Sequence, residues 1–202
     1  MKRIVVGVSG ASGAPYAVRL LEFFKAHQTE LDLDVHLVFS KMGRVIWNDE
    51  VDVDPAYYGF PIYKPGDMTA PFASGSARFD AMIIVPCSSG TVGRIASGVS
   101  TNLIGRGAEV MLKERKKLLL VLREMPYSLV LLRAMTAVTE AGALILPASP
   151  SFYSAPQNRN ELLDTVTSRV LDQLDFDNDL VTRWSGSLTR GGASSRNSPG
   201  VK

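Results

Sequence analysis

Ile4-Val5-Val6-Gly7-Val8-Ser9-Gly10-Ala11-Ser12-Gly13 decides how the rest of the chain is read. Four branched aliphatics in its first five positions suit a strand covered on both faces. Gly7, Gly10 and Gly13 recur every third residue, a spacing that predicts a sharp turn and a close approach of backbone to ligand. Pro15 supports the first turn of a following helix, in which Ala17, Leu20, Leu21 and Phe24 share one apolar face. Amides at such a helix start point at an anion, so phosphate is the expected guest. A purely structural tight turn carries the same pattern, and many α/β domains open this way. Two details narrow the reading. The glycines do not spell G-x-G-x-x-G, and the second strand, 33–39, runs into Ser40-Lys41 where an NAD-binding domain places an acid for the ribose hydroxyls. A hydroxyl and a cation suit a phosphate better.

Outward from this unit, a short helix is expected over 41–50, a third strand over 80–85, helices over 102–115 and 128–141, and strands over 118–122 and 143–147. A last helix carries Leu163, Val166, Val170 and Leu174 on one side. Strands and helices alternating at this rhythm predict an α/β fold, a three-layer, Rossmann-like (flavodoxin-like), doubly wound parallel sheet in a single domain over 1–184. After Trp184 the composition collapses to Gly, Ser, Arg and Asn, which predicts a disordered tail over 185–202. Residues 51–78, with four prolines, three glycines and five aromatics, predict a long functional loop rather than regular helix. Its aromatics either wall a pocket or cover the core.

Composition limits the function classes. A chain of 202 residues with 46% hydrophobic content can bury one sizeable core. A net charge of +2 gives no global field for nucleic acid or a membrane surface. Lys2 and Arg3 precede too few apolar residues for a signal peptide, and no apolar run is long enough to span a bilayer, so a cytoplasmic location is expected. The single cysteine, Cys87, excludes an internal disulfide and reads as a packing residue. His27 and His36 form no metal or triad constellation, and the acidic run 49–54 reads as a solvated segment. No metal is expected.

Chemistry-bearing residues gather at predicted strand ends: Ser12, Ser88-Ser89-Gly90-Thr91 and Arg123-Glu124. Ligands of open α/β sheets bind at that edge. Lys41, Arg106, Lys113 and Arg169 add cations, although Lys113 and Arg169 taken singly read more readily as solvated helix charges.

Taken in order, Gly7 to Gly13, Phe39-Ser40-Lys41, Ala73-Ser74-Gly75-Ser76, Pro86 to Thr91, Arg106, Leu112-Lys113-Glu114-Arg115, Arg123-Glu124-Met125-Pro126 and Leu146 to Tyr153 resemble the motifs of the UbiX-type flavin prenyltransferases. The likeness covers roughly residues 3–184. It implies a flavoprotein that joins a dimethylallyl group from dimethylallyl monophosphate to reduced FMN, closing a fourth ring across flavin N5 and C6. The prenylated FMN would serve a separate UbiD-type decarboxylase. The resemblance places FMN on Gly10, Ala11, Ser12, Ser40, Ser88, Ser89, Gly90, Thr91 and Arg123. It places the donor phosphate on Lys113, Tyr153 and Arg169 with Arg106 nearby, and assigns flavin orientation and proton transfer to Ser12, Glu50 and Glu124. It also implies a large homo-oligomer, commonly a dodecamer, with sites completed by neighbouring subunits. Two readings compete. One is an FMN-dependent cysteine decarboxylase of the same superfamily, which would need a catalytic histidine that the first helix lacks; the other is a non-enzymatic FMN-binding subunit of a decarboxylase.

The residue types suit the implied chemistry. Breaking an allylic carbon–oxygen bond leaves negative charge on phosphate, which fixed cations and a phenol stabilise. A carboxylate must accept the proton lost as the new ring forms, and an acid can protonate the departing phosphate; Glu50 and Glu124 are the candidates.

Overall fold

The computed structural model describes residues 1–184 and Gly186. The expected tail over 185–202 lies outside the described residues apart from Gly186.

Six parallel strands form one sheet: β1 (Lys2–Val8), β2 (Leu33–Phe39), β3 (Ile62–Tyr63), β4 (Ala81–Cys87), β5 (Lys117–Leu122) and β6 (Leu144–Pro147), in the order β3-β2-β1-β4-β5-β6. The direction of winding reverses between β1 and β4, which makes the space beyond their carboxyl ends the topological switch point. Five of these strands match the expected runs. The sixth, β3, is a two-residue edge strand inside the Pro-rich segment, held by pairing Leu37 with Ile62 and Val38 with Tyr63.

The central strands are apolar on both faces because helices cover both. On one side α1 (Ala14–His27), α2 (Lys41–Glu50) and α6 (Arg159–Gln173) bury Leu20, Leu21, Phe24, Trp47, Val170 and Leu171 against Ile4, Val6, Leu37, Ile83 and Val121. On the other, α3 (Ser89–Ala96), α4 (Leu103–Lys113) and α5 (Leu129–Glu140) bury Val92, Ile104, Met111 and Val138 against Val5, Met82, Ile84 and Leu120. The alternation of partners along each strand follows its two-residue period.

Two expectations are corrected and one open alternative is decided. Gly7 is not part of the turn: it lies inside β1, paired with Val38 and Ile84, and a Cβ there would meet Met82 Cε at 3.3 Å. Its small size serves helix–sheet packing. The turn expected over 86–91 is shorter, since Pro86 and Cys87 complete β4, Ser88 is the N-cap, and Ser89, Gly90 and Thr91 already form the first turn of α3. In the 51–78 segment Tyr58, Phe60 and Phe72 are buried in the core, so most of its aromatics cover and few wall.

Both histidines are engaged in local contacts. His27 contacts the Phe23 carbonyl, and buried His36 sits between Asp34 and Tyr63.

Candidate active site

The ends of β1, β2 and β4 are locked together before any ligand is considered. The Ser9 hydroxyl donates to the Pro86 carbonyl at 2.9 Å and accepts from the Ser88 amide at 2.8 Å, joining the first turn to the second. The Ser40 amide donates to the Val8 carbonyl at 2.9 Å, and the Ser40 hydroxyl accepts from Gly43 to cap α2. Gly43 is dictated by this closeness, because a Cβ there would lie 2.2 Å from the Val8 carbonyl oxygen. Gly13, at φ 121°, takes a backbone that side chains rarely adopt and so turns the chain into α1.

This framework opens onto a cavity of about 590 Å³ lined by Gly10, Ser40, Lys41, Ser88, Gly90, Thr91, Arg94 and Asn102, with Pro65 and Gly66 from the long loop. Ser40, Ser88 and Asn102 are the N-caps of α2, α3 and α4. Three helix starts therefore face one space, each contributing partial positive charge. Lys41 and Arg94 add full charges, and Arg94 is steadied by the Thr91 hydroxyl at 3.2 Å. The donor set fits the phosphate end of a flavin nucleotide, and the turn requires Gly10 itself, since a Cβ there would meet Met42 Cβ at 2.7 Å.

A carboxylate cluster stands at the same turn. Helix α1 has no side-chain cap of its own; Glu50, the last residue of α2, reaches across and accepts from the Gly13 and Ala14 amides, each at 2.8 Å. Burial alone would raise the Glu50 carboxyl, but the Ser12 hydroxyl, those two amides and the charge of Arg123 outweigh it and hold it below the ordinary carboxylate value. Arg123 donates to the Ser12 carbonyl at 2.9 Å. Glu124 is held low chiefly by the Ser89 hydroxyl, at 2.8 Å, and by the Met125 amide. Both candidate carboxyls are thus held in the ionised form. Tyr16, next to Gly13, has its hydroxyl pushed up by burial against the opposing pull of Arg123, so it stays protonated.

A second cavity, of about 490 Å³, lies along β6 and α6 and brings Tyr153 and Arg169 together with Ser149, Ser151 and Thr165. Its placement depends on a pair absent from the sequence reading: Arg19 of α1 grips the buried Asp164 of α6 through two contacts of 2.8 Å. That bidentate pair fixes α6, and with it Arg169.

Lys113 and Arg106 do not join either cavity within one chain. Lys113 ends α4 and pairs with Glu114 beside Lys116, whose ammonium approaches Asp80 at the amino end of β4. A helix preceding a parallel strand runs back along the sheet, so Lys113 sits at the edge opposite Ser12. Arg106 commits its guanidinium to the Ala73 carbonyl and Glu109. The other expected residues, Gly10, Ala11, Ser12, Ser40, Ser88, Ser89, Gly90, Thr91, Arg123, Glu50 and Glu124, all lie at the carboxyl edge. Arg94, Asn102, Ser9 and Tyr16 were missed. Only the N-cap pattern of Asn102 three residues before Gly105 gave a sequence signal for any of them. Among the described residues, no group of three or more His, Cys, Asp or Glu side chains is arranged to hold a metal ion.

Comparison with known proteins agrees with this geometry. Residues 1–171 match the family model described as Flavoprotein. The flavin prenyltransferase UbiX of Thermoplasma acidophilum is 45% identical over 185 residues, spanning 90% of this chain and 99% of its own. A crystal structure of AnUbiX (PadA1) in complex with FMN and dimethylallyl pyrophosphate superposes with a TM-score of 0.86 at 41% identity, covering 92% of this chain and 98% of that one. The dodecameric FMN-dependent UbiX-like decarboxylase from Escherichia coli O157:H7 also gives 0.86, at 36% identity over 91% of this chain and 100% of its own. The chain belongs to the flavoprotein family and, within it, to the UbiX-type flavin prenyltransferases.

Proposed function

We infer that this protein is a flavin prenyltransferase that moves a dimethylallyl group from dimethylallyl monophosphate to reduced FMN. The observation that carries the reading is the pairing, on one sheet edge, of an anion cavity faced by three helix starts with an ionised Glu50 braced by Ser12 and Arg123. When bound, reduced FMN supplies an electron-rich ring system with nucleophilic positions at N5 and C6. The chain does the rest. Ser40, Ser88, Thr91 and Arg94 hold the nucleotide phosphate, and Arg123 stands over the Ser12 turn. Glu50, pinned by two amides, accepts the proton released on ring closure without having to move. Tyr153 and Arg169 receive the donor phosphate and stabilise the charge left on it.

Lys113 and Arg106 enter this reading only through assembly. We propose that the chain forms a homo-oligomer of the size named for its E. coli relative, in which the amino edge of one protomer delivers Lys113 to the carboxyl edge of the next. The product would pass to a UbiD-type decarboxylase.

The test is anaerobic incubation of the purified protein with dithionite-reduced FMN and either dimethylallyl monophosphate or the pyrophosphate. A flavin mass gain of one prenyl unit with the monophosphate is expected. Tight binding of unchanged flavin would overturn the reading in favour of a carrier, and turnover of a cysteine-terminated peptide in favour of a decarboxylase. Mixing Lys113→Ala with Arg123→Ala subunits should restore turnover if the site is shared, and leave both inactive if it is not.

A further inference from the structure

Beyond α6 the chain folds back, meeting Tyr153 directly and Arg169 through a shared carboxylate. Asp172, 16% exposed on the last turn of α6, accepts from Arg169 at 2.8 Å and from Arg183 at 2.8 Å. Asn178 closes the arrangement: its side-chain amide donates to Asp172 at 3.2 Å, and its carbonyl accepts from the second Arg183 nitrogen at 3.1 Å. The next residue, Trp184, lies edge-on to Tyr153 with ring centroids 6.2 Å apart. One short segment, residues 178–184, is therefore tied to Arg169 through a shared carboxylate and to Tyr153 through an aromatic contact.

We propose that Asp172 and Arg183 are positioning residues for donor-phosphate recognition. Arg169 is 62% exposed, and a free arginine at such exposure samples many rotamers. Asp172 fixes one end of its guanidinium and leaves the other nitrogens free for an anion. Arg183 shares Asp172, so two guanidiniums face one carboxylate and the trio stays positively charged, and it directly precedes Trp184, which stands against Tyr153, so cation and phenol reach the phosphate as a pre-set pair. An exposed ion pair adds little to stability. Its value here is orientation, which lowers the ordering cost of binding.

This inference rests on the donor assignment above, and its test separates the two. The full-length protein loaded with FMN is compared with Arg183→Ala, Asp172→Asn and Arg183→Lys. In anaerobic prenylation, the first two should raise the KM for dimethylallyl monophosphate about tenfold with kcat within about twofold and FMN affinity unchanged, as expected for lost binding uniform along the reaction. Arg183→Lys should recover part of the loss. Independently of turnover, inorganic phosphate is titrated while emission from the exposed Trp184 is followed, Trp47 being buried. Weaker phosphate binding in Arg183→Ala supports the inference even if the wild type fails to prenylate, which would sink the donor assignment alone. Unchanged phosphate affinity and unchanged KM in both variants overturn it.

Discussion

The two cavities proposed to take a phosphate are built from different materials. The one beyond β1, β2 and β4 is built mainly of helix starts, capping hydroxyls and tightly packed glycines, with Lys41 and Arg94 adding charge. The one along β6 and α6 combines an edge strand whose residues are half-buried or exposed with long side chains, Tyr153 from the segment after it and Arg169 from α6. Backbone donors are fixed by the fold and cost nothing to order on binding, whereas Tyr153 and Arg169 must be held in place by other side chains. The first cavity should therefore fail all at once when its packing is touched. The second should weaken by degrees.

The sharpest way to break this contrast is Glu50→Gln. The amide keeps the shape and can still accept from the Gly13 and Ala14 amides, so FMN should stay bound. It cannot take up a proton, and turnover should fall by about two orders of magnitude or more, in the range seen for loss of one catalytic group. Normal prenylation by this variant would remove Glu50 from the chemistry. Gly43→Ala comes next. Its methyl would lie 2.2 Å from the Val8 carbonyl oxygen, a backbone atom that cannot step aside. We expect about 1–3 kcal/mol of destabilisation in denaturant melts together with loss of FMN. Retained FMN affinity would mean that the β1 end and α2 can part without harm, against the all-at-once behaviour of this region.

On the other cavity, Tyr153→Phe removes one hydroxyl from an exposed ring without disturbing any buried contact. The donor KM should rise about tenfold, the worth of one hydrogen bond to a charged group, and FMN binding should not change. A parallel loss of FMN would show that the two cavities are one unit.

How much of this could be read from the sequence follows the same division. The strands and the first two turns were legible because buried parallel strands are short apolar runs punctuated by glycine and serine, a local signal. Ser40, Ser88 and Glu124 could be placed at the ligand edge for that reason. The two-residue β3 could not, since only its partner Val38 makes Tyr63 a strand residue. Arg94 looked like any helix-surface charge, and only the convergence of three helix starts gives it a role. Lys113 shows the opposite failure. A resemblance assigns it to the site, while the path of α4 carries it to the far edge, and nothing local in Leu112-Lys113-Glu114 announces which edge that is. Arg19 and Asp164 are 145 residues apart, and their pairing is a consequence of the fold rather than a signal of it.

The smallest expected effect tests the electrostatic half of the comparison. Glu50 caps α1 from outside the helix, and its carboxyl is held below the ordinary carboxylate value. A group whose folded pKa is depressed contributes stability that is fully present above its unfolded pKa and disappears as pH falls through the folded one. The charge–helix interaction at this cap is worth about 0.3–1 kcal/mol at a partly exposed site. The melting temperature of the wild type should therefore exceed that of Glu50→Gln by a small margin at pH 7. The margin should shrink on acidification below pH 4.5 and close once the carboxyl is protonated, because a protonated acid and an amide then present the same uncharged cap. A gap that persisted unchanged to the lowest pH would mean that Glu50 stabilises α1 by shape and hydrogen bonding alone. Its ionised state would then owe nothing to the helix it caps.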